Sequence, residues 1–134
     1  MACPFFYPAE PFPGDGQIRQ GRFPLGAAHK GICRAVPEEA FEPDEERLRS
    51  FCNFGYGRGA CVRFPSSSDA DAVRFSLVSR SDELIRIVFV FERDFGPVRH
   101  GTLDCSAGEQ PAGDCLARQA EVFAVNYARK ARCA

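Results

Sequence analysis

Val73-Arg74-Phe75-Ser76-Leu77, then Ser79-Arg80-Ser81-Asp82, then Leu84-Ile85-Arg86-Ile87-Val88-Phe89-Val90-Phe91 is the stretch from which the fold is read. In the first run apolar and polar residues alternate, which predicts a strand with one face buried. The polar run after it turns the chain. The third run is almost continuously apolar, broken by Arg86, and predicts a central strand covered on both faces. A weaker strand is predicted over Pro97–Leu103, and the three close most simply as an antiparallel meander over 72–104. Downstream, Asp114 is placed to cap a helix over 114–131, with Leu116, Ala120, Phe123 and Tyr127 as its core stripe. Arg129, Lys130 and Arg132 near its end complement the helix dipole.

Upstream lies a helix predicted over 43–54. Pro43 suits a first helical position, and Asp44, Glu45 and Glu46 favour the positive end of the dipole. Leu48, Phe51 and Cys52 fall on one face, and Gly55 is a natural stop. The six acids in 38–46 read as the solvated start of this helix. Before it stand Pro4, Pro8, Pro11, Pro13 and Pro24, with Gly14, Gly16, Gly21 and Gly26 punctuating the same stretch, and no helical or strand periodicity is visible. Residues 1–36 are therefore expected to be irregular. The same segment holds Phe5, Phe6, Tyr7, Phe12, Phe23 and Leu25, so it is expected to pack on the core. The expected fold class is α+β: a small three-stranded antiparallel sheet, two helices and a long Pro/Gly-rich N-terminal arm, in one domain over 1–134.

Composition narrows the function classes. The 134 residues are 45% apolar, with 13 Phe, 3 Tyr and no Trp, so any site walled by aromatics will be dry. A formal net charge of −1 offers no footprint for nucleic acid. No run approaches the ~18 apolar residues of a membrane span. Met1-Ala2-Cys3-Pro4-Phe5-Phe6 has neither the basic start nor the apolar run of a signal peptide, so a cytoplasmic location is expected. In a reducing compartment seven cysteines read as ligands, redox thiols or core residues, not as a disulfide framework.

The chemistry is read from those cysteines. In Phe51-Cys52-Asn53-Phe54-Gly55-Tyr56-Gly57-Arg58-Gly59-Ala60-Cys61, two thiols flank three glycines. Thiolate ligation needs sulfurs that converge and backbone N–H groups that turn towards them, and glycines permit that close approach. Cys3 precedes Pro4, an order also found at the last cysteine of bacterial ferredoxin runs. Cys33 stands just before the regular structure. Together they form C-x29-C-x18-C-x8-C, without the C-x2-C knuckle of zinc ribbons. Cys3, Cys33, Cys52 and Cys61 are therefore the expected ligands of an iron–sulfur cluster, [4Fe–4S] favoured, with zinc as the alternative. Gly55, Gly57 and Gly59 are expected to bring backbone to the sulfurs, and Arg58 to offset the charge of the centre.

Cys52 to Cys61 with Phe54, Arg58 and Gly59 resembles the first half of a CCCH zinc finger. The cysteine and histidine that family requires near Ser67 and Asp71 are absent, so its ligands and RNA binding are not carried over. Over the first half of the chain, Cys3-Pro4-Phe5, Cys33 and Cys52-Asn53-x-Gly55-Tyr56-x-x-Gly59-x-Cys61 followed by Arg63-Phe64-Pro65 are similar to an uncharacterised bacterial four-cysteine, iron–sulfur-like family. The resemblance implies that the four act together; it implies no activity.

Cys105 and Cys115 form a possible redox pair, with Cys115 in the first turn of the last helix, where the dipole lowers a thiol pKa. Cys133 is expected at a frayed end. His29 and His100 are read as structural or surface residues. No phosphate loop, dinucleotide fingerprint or paired carboxylates are present, so a non-enzymatic protein is favoured. The expected function is electron transfer or redox sensing with an unidentified redox or protein partner. The alternatives are a zinc-stapled interaction domain and a metal-free thiol switch.

Overall fold

A computed structural model describes residues 2–11, 25, 29–36, 39, 41–81, 84–106 and 114–133, with side chains in the last helix as far as Asn126. The α+β class holds: strands Phe6–Pro11 (β1) and His29–Cys33 (β2) form one antiparallel pair. Ala72–Arg80 (β3), Leu84–Arg93 (β4) and Gly96–Ser106 (β5) form a meander in the order β3-β4-β5. Helix Glu45–Arg47 (α1) lies between the two sheets in sequence, and helix Cys115–Cys133 (α2) closes the chain.

The meander follows its apolar pattern. Ile85, Ile87, Phe89 and Phe91 of β4 share a face, and α2 covers it. Ile87, Ala120 and Ala124 form one buried cluster flanked by Phe75, Leu103 and Phe123. Ala2, Leu25, Val73, Phe91 and Val122 form another, with Leu116 packed against it. The expectation that β4 is covered on both faces is corrected: Val88 and Val90 on the other face are half-buried, and Arg86 pairs there with exposed Asp104 at 2.8 Å. β5, expected to be the weakest strand, is the longest at 11 residues. Its Gly101 faces Phe89, whose ring lies where a Cβ would sit, 2.5 Å from Cζ. The aromatic surface thus replaces the missing side chain. Asp114 caps α2, its Oδ1 accepting from Ala117 N at 2.8 Å. The expected contacts of Tyr127, Arg129, Lys130, Arg132 and Cys133 lie outside the described side chains.

Two expectations upstream need correction. The N-terminal segment is not irregular throughout: β1 and β2 pair with Phe6 opposite Cys33 and Pro8 opposite Gly31. Pro8 and Gly31 hide the pair from a periodicity reading, yet Gly31 is what allows it. A Cβ there would lie 2.0 Å from Tyr7 O. The expected packing of the segment is observed, with Ala2, Phe6 and Leu25 buried and Ala2 exchanging backbone bonds of 2.7 and 2.8 Å with Val73. Phe12 and Phe23 lie outside the described residues.

The helix expected over 43–54 begins at Glu45 and changes character. Pro43 precedes the cap, Asp44 is the cap, and its Oδ1 accepts from Arg47 N at 2.8 Å. After Arg47 the chain widens into a π-helical turn, Leu48–Cys52, closed by Asn53 N to Leu48 O at 3.0 Å. Asn53 accounts for the widening. Its buried Nδ2 also donates to Leu48 O at 2.8 Å and to His29 O at 2.9 Å, while its Oδ1 accepts from His29 N at 3.0 Å. One side chain thereby ties the turn to the start of β2.

Candidate metal centre

Four separate segments each deliver one cysteine. Cys3 follows the Ala2–Val73 bridge; Cys33 ends β2; Cys52 ends the π-helical turn; Cys61 closes a turn with its N–H on Gly57 O at 2.6 Å. The backbone knits them together. Cys3 N donates to Cys52 O at 3.1 Å, and Cys33 N donates to Phe41 O at 2.7 Å. From α2, buried Gln119 donates through Nε2 to Cys3 O at 2.8 Å and Phe6 O at 2.7 Å.

Cys3, Cys33, Cys52 and Cys61 all line one hollow, with an interior of about 20 Å³. All four cysteines of the sequence-predicted set are thus among the residues around this one hollow. Phe5, Phe6, Phe51 and Phe64 supply apolar walls, with Phe5 and Phe64 edge to face at 5.7 Å. Arg47 and Arg63 also line it. Among the described residues, no group of three or more His, Cys, Asp or Glu side chains that could hold a metal ion is found.

Burial pushes the Cys3 thiol up to about 12. The Phe5 N–H opposes this, and the neighbouring thiols Cys33, Cys61 and Cys115 add to it. Burial raises Cys52 as well, reinforced by Cys3, Cys33 and Cys61 and opposed by Arg47. The same three sulfurs act on Cys52 because they surround one space. Without a bound cation the deep thiols hold their protons, so any metal must displace them.

The glycines divide their work differently from the expectation. Only Gly57 lines the hollow, and a Cβ there would lie 3.1 Å from the Cβ of Cys61. Gly55, at φ +79°, makes room instead for Ala72, whose Cβ would be 2.6 Å away. Gly59, at φ +84°, has nothing within 4 Å and serves only the turn. Arg58 is corrected too. Its Nε binds Asp71 Oδ1, and its Nη1 and Nη2 donate to Ser66 O and Ser68 O. That fork is spent on holding the 66–71 loop, leaving Arg47 and Arg63 as the guanidinium groups at the hollow.

Arg63 is held by Phe41, its Cζ lying 4.0 Å above the ring. Among the described residues its Nε and Nη2 are buried without a hydrogen-bond partner, and Glu39 Oε2 lies 3.9 Å from Nη2. Sequence reading gave Asn53, Gln119, Phe41 and Arg63 no role of their own, although Asn53 and Arg63 stand beside candidate ligands within the quoted motif.

The Cys105–Cys115 pairing draws no support from the packing. Cys105 belongs to the cluster of Ile87, Ala124 and Phe123. Cys115 instead feels the charges of Arg34, Asp114 and Cys33, and burial lifts it to about 11 despite Arg34 and its place in the first turn of α2. None of the six described cysteines is in a disulfide. No helix of the described residues is long and apolar enough to cross a membrane. No protein-family model, curated protein or solved structure matches the chain.

Proposed function

We propose that Cys3, Cys33, Cys52 and Cys61 ligate an iron–sulfur cluster, with [4Fe–4S] as the favoured form, and that the protein transfers or senses electrons through it. The observation that carries this reading is the meeting of four thiols, from four segments, around one hollow with phenylalanine walls. Four cysteine thiolates are the ligand set of both [2Fe–2S] and [4Fe–4S] centres.

Sequence spacing favours a cluster over zinc: C-x29-C-x18-C-x8-C lacks the C-x2-C knuckle of zinc ribbons, and phenylalanine walls would shield a cluster from water. A [4Fe–4S] cluster would take one cysteine thiolate on each iron. Its oxidised core with four thiolates is a dianion, and Arg47 and Arg63 set two positive charges against it. Such a cluster supplies one-electron chemistry; the chain binds it, shields it with phenylalanine and balances its charge.

The test is substitution. In anaerobically purified Cys52→Ser and Cys61→Ser, iron and acid-labile sulfide are expected to fall far below the wild-type content. Full retention of both in either variant contradicts the assignment. A colourless wild-type protein holding zinc, and unfolding on chelation, gives the staple reading instead.

A further inference from the structure

Among the described residues, Nε and Nη2 of Arg63, beside the hollow, are buried without a hydrogen-bond acceptor. An unmet buried donor is costly, more so when charged, and is seldom retained without a structural or functional reason. The guanidinium is also held in place. Phe41 lies under it at 4.0 Å, and Phe41 O accepts the Cys33 N–H at 2.7 Å. Arg63 follows Cys61 by two residues, so its backbone is tied to one candidate ligand and its side chain, through Phe41, to another. Glu39, with its side chain 71% exposed and 3.9 Å away, does not satisfy it.

We propose that Arg63 is the anion contact of the centre, its Nε–H and Nη2–H donating to sulfur, thiolate or inorganic sulfide, and setting the reduction potential. The inference rests on the cluster reading and adds a positioning residue to it. Reduction takes one electron from a reductant such as dithionite into the bound cluster, with no bond to the protein made or broken. The added negative charge is stabilised by a fixed cation and two N–H donors, so the contact favours the reduced form and raises the potential. Arg58 cannot do this, because its donors are committed to Asp71, Ser66 and Ser68.

The experiment is a potentiometric titration of the wild-type protein, Arg63→Gln, Arg63→Lys and, as control, Arg49→Gln, with iron and sulfide measured on each sample. Arg49 sits in the π-helical turn, 3.8 Å from Glu45, and does not line the hollow. The expected result is a lower potential in Arg63→Gln at unchanged iron and sulfide. Arg63→Lys, which keeps the charge but loses the fork, should show a smaller drop, and Arg49→Gln none. If Arg63→Gln cannot hold the cluster, Arg63→Lys decides. A wild-type potential in a loaded Arg63 variant overturns the proposal while leaving the cluster reading intact. A wild-type protein without iron and sulfide overturns the cluster reading, and this inference with it.

Discussion

The N–H of Cys3 donates to the carbonyl of Cys52 at 3.1 Å, so the start of the chain and the end of a π-helical turn meet at one hydrogen bond. The bond fixes two deep thiols side by side through backbone, whatever their side chains hold. π-helical turns cluster at functional sites because the extra residue re-aims the side chains around it. Here the turn ends on Cys52, beside the hollow, and Asn53 holds it open.

Asn53→Ala removes three hydrogen bonds and leaves the N–H and C=O of His29 without those partners. A cost of roughly 3 kcal/mol is expected by urea denaturation. Because the lost bonds join the turn to β2, iron and sulfide content should fall as well. A variant with wild-type stability and loading would show that the clasp does not organise the centre.

Gly57→Ala and Gly59→Ala should separate close approach from backbone strain. The first sets a methyl 3.1 Å from the Cβ of Cys61 and is expected to lower metal content with little change in the fold. At Gly59, φ +84° in open space, alanine should cost about 1–2 kcal/mol and leave metal content unchanged. Parallel metal analysis and thermal melts distinguish the two, and equal loss of metal in both would refute the distinction.

Alkaline pH should destabilise the metal-free protein. Burial raises Cys3 to about 12 and Cys115 to about 11 from an ordinary 9.0, and raises Cys52 as well. Above pH 9 the unfolded chain releases these protons while the folded chain keeps them, so the unfolded state binds fewer and stability falls as pH rises. The contribution is fully present below pH 9 and is lost through the folded-state values. Each thiol adds a slope of up to roughly 1.4 kcal/mol per pH unit. Urea midpoints of the metal-free protein between pH 8 and 11 should show the decline. Serine at Cys3 and Cys52 should flatten it, and a flat profile before substitution would contradict the burial of these thiols.

Arg58→Ala should cost roughly 2–3 kcal/mol and leave the cluster spectrum unchanged, since the residue holds a loop and not the centre. Burial alone would raise Asp71, but hydrogen bonds from Arg58 and the Asp94 N–H, with the Arg58 charge, hold its carboxyl below the usual range. A depressed carboxylate stabilises the fold above its unfolded value of 3.8 and loses that contribution as pH falls. Acid titration followed by circular dichroism should therefore show a shallower acid limb in the variant. An altered visible spectrum would instead return Arg58 to the centre.

What the sequence made legible follows from where its physics is local. Val73, Phe75 and Leu77, and the apolar run of β4, report their own burial, and Asp114 reports its own cap. The four cysteines were legible as a group because thiols on a Gly-rich turn and near other segment ends have few other uses. The β1–β2 pair was hidden because Pro8 and Gly31 break its alternation while a steric need for glycine makes it possible. Asn53, Gln119 and Arg63 act across the chain, on His29, Cys3 and Phe41, and nothing in their own neighbourhoods announces those partners. Arg58 was misassigned for the same reason: proximity to Cys61 in sequence said nothing of Asp71.

The most direct measurement is the visible absorption spectrum of anaerobically purified protein, with iron, zinc and acid-labile sulfide quantified on the same sample. The account predicts a brown protein with iron and sulfide in matched amounts, bleached by dithionite. A colourless protein with zinc, or with no metal at all, contradicts it.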